Sequence, residues 1–137
     1  MKQLFSLLSI CVLLVFSCDE DVTRNENICQ EDLPCTEELR FLTYSPKVNG
    51  EAVILDDYYV KNLDNGNYYQ SSSLIAYMDE GTYLIISDVR RQELRQSGTT
   101  LRFFGIKNGQ IILQTDFEVG HDCCHIVPLS GPFDEFN

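Results

Sequence analysis

Apolar and polar positions alternate over short runs in this chain, and Gly, Asn and Asp recur between the runs. That pattern predicts strands joined by tight turns. Thr99 to Val119 is the clearest case. Asn108-Gly109 sits at its centre, the pair favoured in a two-residue type I′ turn because both positions need positive φ. The hairpin so predicted aligns Ile106 with Ile111 and Phe104 with Leu113. Its opposite face carries Leu101, Phe103 and Ile112, mixed with Gln110 and Gln114. Neither face is cleanly polar, so the hairpin is expected to be central, with part of its second face covered.

The other elements follow by the same rule. Glu38 to Ser45 suits a strand ended by Pro46, and Asn49-Gly50 marks a turn. Ala52 to Leu63 gives one or two strands with a polar break at Asp56-Asp57, closed by a turn at Asp64-Asn65-Gly66-Asn67. Ser71-Ser72-Ser73 reads as an exposed loop. Ala76 to Asp88 reads as a short segment, a turn at Asp79-Glu80-Gly81 and a strand. Val89 to Gln96 is polar and helix-prone, one or two turns long, and Ser97-Gly98 ends it. Ile126-Val127-Pro128 is the expected last strand before Ser130-Gly131-Pro132. Short strands, frequent turns and at most one short helix predict an all-β protein, an antiparallel Greek-key β-sandwich.

The first 17 residues break the pattern. Lys2 precedes an apolar run from Leu4 to Phe16, and Ser17 is small. The run is shorter than the roughly 20 residues a spanning helix needs, and the whole stretch has the form of an export signal. Val15-Phe16-Ser17-Cys18 resembles a bacterial lipobox. The resemblance implies that Cys18 is acylated, becomes the mature N-terminus and places the chain on a membrane surface without a spanning helix. The alternative is an ordinary secretory signal cleaved nearby, with Cys18 a thiol or a bridge partner. Asp19-Glu20-Asp21 reads as a solvated acidic linker. It also resembles the acidic signal that sends many Bacteroidota lipoproteins to the outer leaflet. The chain therefore divides into a lipoprotein signal peptide (1–17), an acidic tether (18–34) and one β-sandwich domain (35–137).

The net charge is −11, and Arg90-Arg91 is the largest basic cluster. Nucleic-acid binding needs a basic face, so none is expected. Cysteine parity adds more. Of six cysteines, Cys11 leaves with the signal and Cys18 takes the lipid. Cys29, Cys35, Cys123 and Cys124 remain, an even set in an exported chain, which suggests two disulfides. Adjacent cysteines rarely bridge each other, so Cys123 and Cys124 are each expected to reach a different N-terminal partner, clamping tether and first strand to the last strand. A local Cys29–Cys35 loop is the alternative, and would leave the vicinal pair reduced or metal-bound.

Two resemblances bear on fold and address. Val48-Asn49-Gly50-Glu51-Ala52-Val53, after a first strand, resembles a phrase of transthyretin-like and carboxypeptidase-regulatory-like domains, which are small Ig-like Greek-key sandwiches. Cys35-Thr36-Glu37-Glu38, with Asp122-Cys123-Cys124-His125 and Ser130-Gly131-Pro132, is similar to a group of small Bacteroidota cell-envelope lipoproteins over about residues 35–132. No activity attaches to that group, so the resemblance implies fold and location only.

Candidate chemistry is sparse. If residues 121–125 continue a strand, His121, Cys123 and His125 share one face and form a zinc proposal. A thiol catalyst at Cys124 and His125 is opposed by the same alternation, which points neighbours apart. Tyr58-Tyr59, Tyr68-Tyr69, Tyr77 and Tyr83 offer a sugar-stacking platform, although alternation sends one ring of each pair inward. Asp56-Asp57 and Asp64-Asn65 have oxygen ligands for calcium, yet both lie where turns want Asp and Asn. Ser130 lies in no G-x-S-x-G elbow. The expected protein is a non-catalytic binding or structural module on the outer membrane, surface-exposed or facing the periplasm. Its partners are the membrane, through the lipid at Cys18, and an envelope protein or glycan. No cofactor beyond the lipid is expected, and the rival is a zinc- or thiol-dependent enzyme centred on His121, Cys123, Cys124 and His125.

Overall fold

The computed structural model describes residue 29, residues 33–70 and residues 78–134. The leader, Cys18, the acidic run, the serine run and Tyr77 lie outside the described residues. Strand β1 (Phe41–Tyr44) precedes two-residue strands β2 (Lys47–Val48) and β3 (Glu51–Ala52), then β4 (Asp57–Asn62), β5 (Tyr68–Gln70) and β6 (Tyr83–Ser87). A 3-10 helix (Asp88–Glu93) leads to β7 (Thr99–Lys107), β8 (Gln110–His121) and β9 (Ile126–Ser130).

Among the described residues every pairing is antiparallel. One sheet has five strands in the order β5-β4-β7-β8-β9, β1 pairs with β6, and β2 with β3. The β1–β6 pair covers the inner face of the large sheet. Tyr44 meets Phe103 and Phe117 edge-on at 5.5 and 5.2 Å between ring centroids, and Tyr83 meets Tyr58 at 5.0 Å. Leu42 and Ile85 from the small sheet are fully buried against Val60, Leu101, Phe103, Phe117 and Val119 from the large one. Each such side chain contributes about 1.5–3 kcal/mol by leaving water. This is the all-β sandwich that the alternation predicts, with β7 in the middle of its sheet.

The turns sit where their residues demand. Asn49 and Gly50 have φ of 54° and 86°, and Asn108 and Gly109 have 53° and 73°, as type I′ turns require. No atom lies within 4 Å of a Cβ placed on Gly109. Gly109→Val should therefore report backbone strain alone, a loss of about 1–3 kcal/mol. Thermal or denaturant unfolding measures it, and a variant melting within a degree of the parent would contradict the turn.

The register of this hairpin departs from the simple reading in one place. Ile106 pairs with Ile111 as expected, but Gly105 pairs with Leu113 and Phe104 with Gln114, not with Leu113. Ile112 is the extra residue of a bulge. Leu101 and Phe103 consequently face the core, while Phe104 and Gln114 share the outer face. Gly105 has its own cause: a Cβ there would stand 2.7 Å from Leu55 Cδ1, so only glycine lets Leu55 lie on the sheet.

Candidate functional site

The first and last strands do not pair with each other, because β1 pairs with β6 and β9 with β8. The cysteines meet elsewhere, between the segment that precedes β1 and the turn that joins β8 to β9. That turn, residues 122–125, interrupts the strand, so the alternation expected for His121, Cys123 and His125 does not apply. Asp122 builds it. Its Oδ1 accepts from the backbone N–H groups of Cys124 at 3.0 Å and His125 at 2.7 Å, and its own N–H donates to the His125 carbonyl at 3.0 Å. Those backbone bonds, led by the one from His125, hold the Asp122 carboxyl below its ordinary range against the opposing effect of burial. Cys123 takes φ of 76°, which turns its side chain out of line with that of Cys124.

Each vicinal cysteine therefore has its own partner. Cys29 bridges Cys123 across 94 residues with a Cα–Cα distance of 5.5 Å. Cys35 bridges Cys124 across 89 residues with a Cα–Cα distance of 5.3 Å. Both spans suit disulfide geometry. This is the pair of long-range bridges expected from parity, fastened to the β8–β9 turn.

Beneath the bridges lies a polar hub. Asp88 stands beyond the end of β6 with a side chain 12% exposed. Its Oδ2 accepts from the Arg40 N–H at 2.8 Å and lies 2.8 Å from His125 Nδ1, and its Oδ1 accepts from the Ile126 N–H at 2.8 Å. One carboxylate thus ties the approach to β1, the end of β6 and the start of β9. Burial pushes its pKa up, but the His125 and backbone hydrogen bonds outweigh this and leave it lowered. The far ring nitrogen of His125, Nε2, shares a 2.8 Å hydrogen bond with Thr36 Oγ1. A carboxylate can only accept, so Nδ1 carries the proton, and a neutral ring accepts from Thr36 at Nε2. Arg91 Nη1 donates to the Cys124 carbonyl and closes the other side of the turn.

His121 has different surroundings. It is 8% exposed, its Nδ1 accepts from the Cys123 N–H at 3.2 Å, and its Nε2 makes no well-formed hydrogen bond, the ring having only a weak approach to the Leu94 backbone. Burial, with the nearby Arg91 charge, pushes its pKa down, against smaller effects of the Leu94 carbonyl and Asp122. Its ring and the sulfurs of Cys29 and Cys123 offer ligand atoms within 4.8 Å of one another, a group that includes neither His125 nor Cys124. Gln96 Nε2 lies 2.7 Å from Cys123 Sγ and 3.2 Å from Cys29 Sγ.

The other candidates divide between core and surface. Tyr58 and Tyr83 are buried. The Tyr69 hydroxyl accepts from Asn62 Nδ2 and donates to Glu93. Tyr59 and Tyr68 stand on the outer face of the large sheet beside Phe104. Tyr59 and Phe104 stack on each other at 4.7 Å, which occupies one flat face of each, and Lys61 Nζ sits 5.1 Å from the Tyr68 centroid. The calcium candidates are employed in turns and pairs: Asp56 accepts from the Asn108 N–H, Asp57 from the Tyr58 N–H, and Asp64 pairs with Arg95. A cleft of about 340 Å³ opens between residues 54–58 and 78–83, lined by Ile54, Leu55 and Tyr58 together with Asp57 and Asp79.

Two features of this corner had no simple signal in the chain. Thr36 gives His125 a hydroxyl partner 89 residues away, where composition offered the histidines only cysteines. Asp88 looked like a strand end, and its role as a hub comes from three segments that are distant in sequence. Comparison with protein-family models, curated proteins and solved structures finds no match for this chain.

Proposed function

We propose that this protein is a lipid-anchored β-sandwich of the bacterial cell envelope, acting as a binding or structural module without catalysis. The observation that carries the reading is the double bridge. It fastens Cys29 and Cys35, both exposed and set in a polar sequence with little apolar content, to Cys123 and Cys124 about 90 residues later. Such bridges persist in oxidising compartments, which agrees with an export signal at residues 1–17 and with acylation at Cys18. A tether fixed at Cys29 and Cys35 would hold the domain about ten residues from the lipid, a reach of at most about 40 Å. The sheet's outer face, with Tyr59, Tyr68 and Phe104, is then the surface offered to an envelope protein or glycan. The net charge of −11 supports the absence of nucleic acid among its partners.

Cys18→Ala tests the anchor. The expected result is release from the membrane fraction into the soluble fraction, with loss of lipid labelling. Unchanged membrane partitioning of the variant would overturn the lipoprotein reading. Crosslinking and capture from the native envelope, compared between the parent and Tyr68→Ala, tests the proposed outer face.

A further inference from the structure

We propose that opening the Cys29–Cys123 bridge converts this corner into a site for one thiophilic divalent cation of the zinc class, held by both sulfurs and a ring nitrogen of His121. The inference does not depend on the anchor and survives or fails separately.

The geometry is largely present before reduction. The three ligand atoms lie within 4.8 Å of one another. Tetrahedral zinc, with Zn–S of about 2.3 Å and Zn–N of about 2.0–2.1 Å, needs ligand atoms about 3.3–3.8 Å apart. The main change is the separation of the two sulfurs to ligand spacing once the covalent bond between them is gone. His121 supplies the second, independent observation. His121 is 8% exposed, and its Nε2 makes no well-formed hydrogen bond. Coordination through Nε2, with the ring proton moved to Nδ1, would give that nitrogen a partner in exchange for the 3.2 Å bond from the Cys123 N–H.

Each bridge joins an exposed cysteine to a half-buried one, so both are open to a reductant. If Cys35–Cys124 stays closed, the freed Cys29 remains on a leash of six residues and at high local concentration. The exchange is balanced. A dithiol gives two electrons and two protons to the bridge, leaving two cysteine thiols and its own cyclic disulfide. The cation then displaces the two thiol protons to solvent. The Gln96 amide, already 2.7 and 3.2 Å from the two sulfurs, donates to the thiolates that result. The fourth position is left to water. The site gives the tether a second clamp, one that forms when the covalent one is lost.

Cobalt(II) is a spectroscopic probe for such a site. The full-length domain is treated with a dithiol, freed of reductant without air, and titrated with Co²⁺. The positions of the free thiols are fixed by alkylation and mass spectrometry. The expected result is one Co²⁺ per chain, with sulfur-to-cobalt charge-transfer absorption that Zn²⁺ abolishes, and no binding to the oxidised protein. Cys29→Ser should abolish the band. His121→Ala should weaken binding at least tenfold, with His121→Gln used if the alanine variant does not fold. His125→Gln should leave binding unchanged, and so should Cys35→Ser combined with Cys124→Ser if both bridges open together. No band in protein with both Cys29 and Cys123 free would overturn the proposal. So would undiminished binding without His121, or binding that depends on Cys124 and His125.

Discussion

Reducing both bridges, with a chelator present, should lower the melting temperature by about 15 °C or more. In the chain-entropy picture, the first bridge closes a loop of about 90 residues, which stabilises by on the order of 4–5 kcal/mol. The second does not repeat that gain. Once Cys29 is joined to Cys123, Cys35 is already held near Cys124, and the further loop is only a few residues long on each side. It adds about 2–3 kcal/mol. The combined effect is comparable with the whole stability of a small domain, about 5–15 kcal/mol. Scanning calorimetry with and without reductant measures it. Zn²⁺ in place of chelator should restore part of the loss, because a cation bound by the folded form stabilises it by mass action. Melting temperatures within about 3 °C of each other in the oxidised and the fully reduced, chelated protein would show that the bridges carry little of the fold.

Asp88→Asn should cost about 2–4 kcal/mol, measured by denaturant unfolding. Asparagine keeps one acceptor oxygen but sets an NH₂ group against one of three donors, from Arg40, Ile126 and His125. The loss should therefore be felt at β1, β6 and β9 together. It also has a pH signature. Asp88 has its pKa lowered in the folded protein, so its contribution is fully present above the unfolded carboxylate value of about 4 and is lost as pH falls through the lower folded value. The parent should lose stability below about pH 4 more steeply than the variant. The variant's profile should not become flat, since Asp122 is lowered too and titrates in the same direction. Equal slopes in the two proteins would remove Asp88 from its role as hub.

How much of this was legible depends on whether the cause was local. Asn49-Gly50 and Asn108-Gly109 specify their turns through φ, and alternation along β4 and β7 specifies which side chains enter the core. Those features were readable because each depends on a few consecutive residues. Cysteine parity was readable for another reason, since covalent pairing must consume thiols in twos. The bulge at Ile112 was not, because it depends on how β8 meets Gly105 and how Leu55 packs over that glycine. The turn at residues 122–125 was not legible, and the strand considered there was only one option, because the turn depends on Asp122 folding back on two backbone amides. That single carboxylate separates His121 from His125 and sends the two cysteines to different partners. Thr36, Asp88 and His125 meet from three parts of the chain, and no spacing in the sequence announces such a meeting.

The central claim is that the segment before β1 is clamped to the β8–β9 turn by two specific links. Proteolysis of the native protein without reductant, with cleavage between the vicinal cysteines or fragmentation of the joined peptides by mass spectrometry, tests it most directly. The expected result is Cys29 joined to Cys123 and Cys35 joined to Cys124. A Cys29–Cys35 loop, the crossed pairing, or four thiols open to alkylation in the native protein would contradict it.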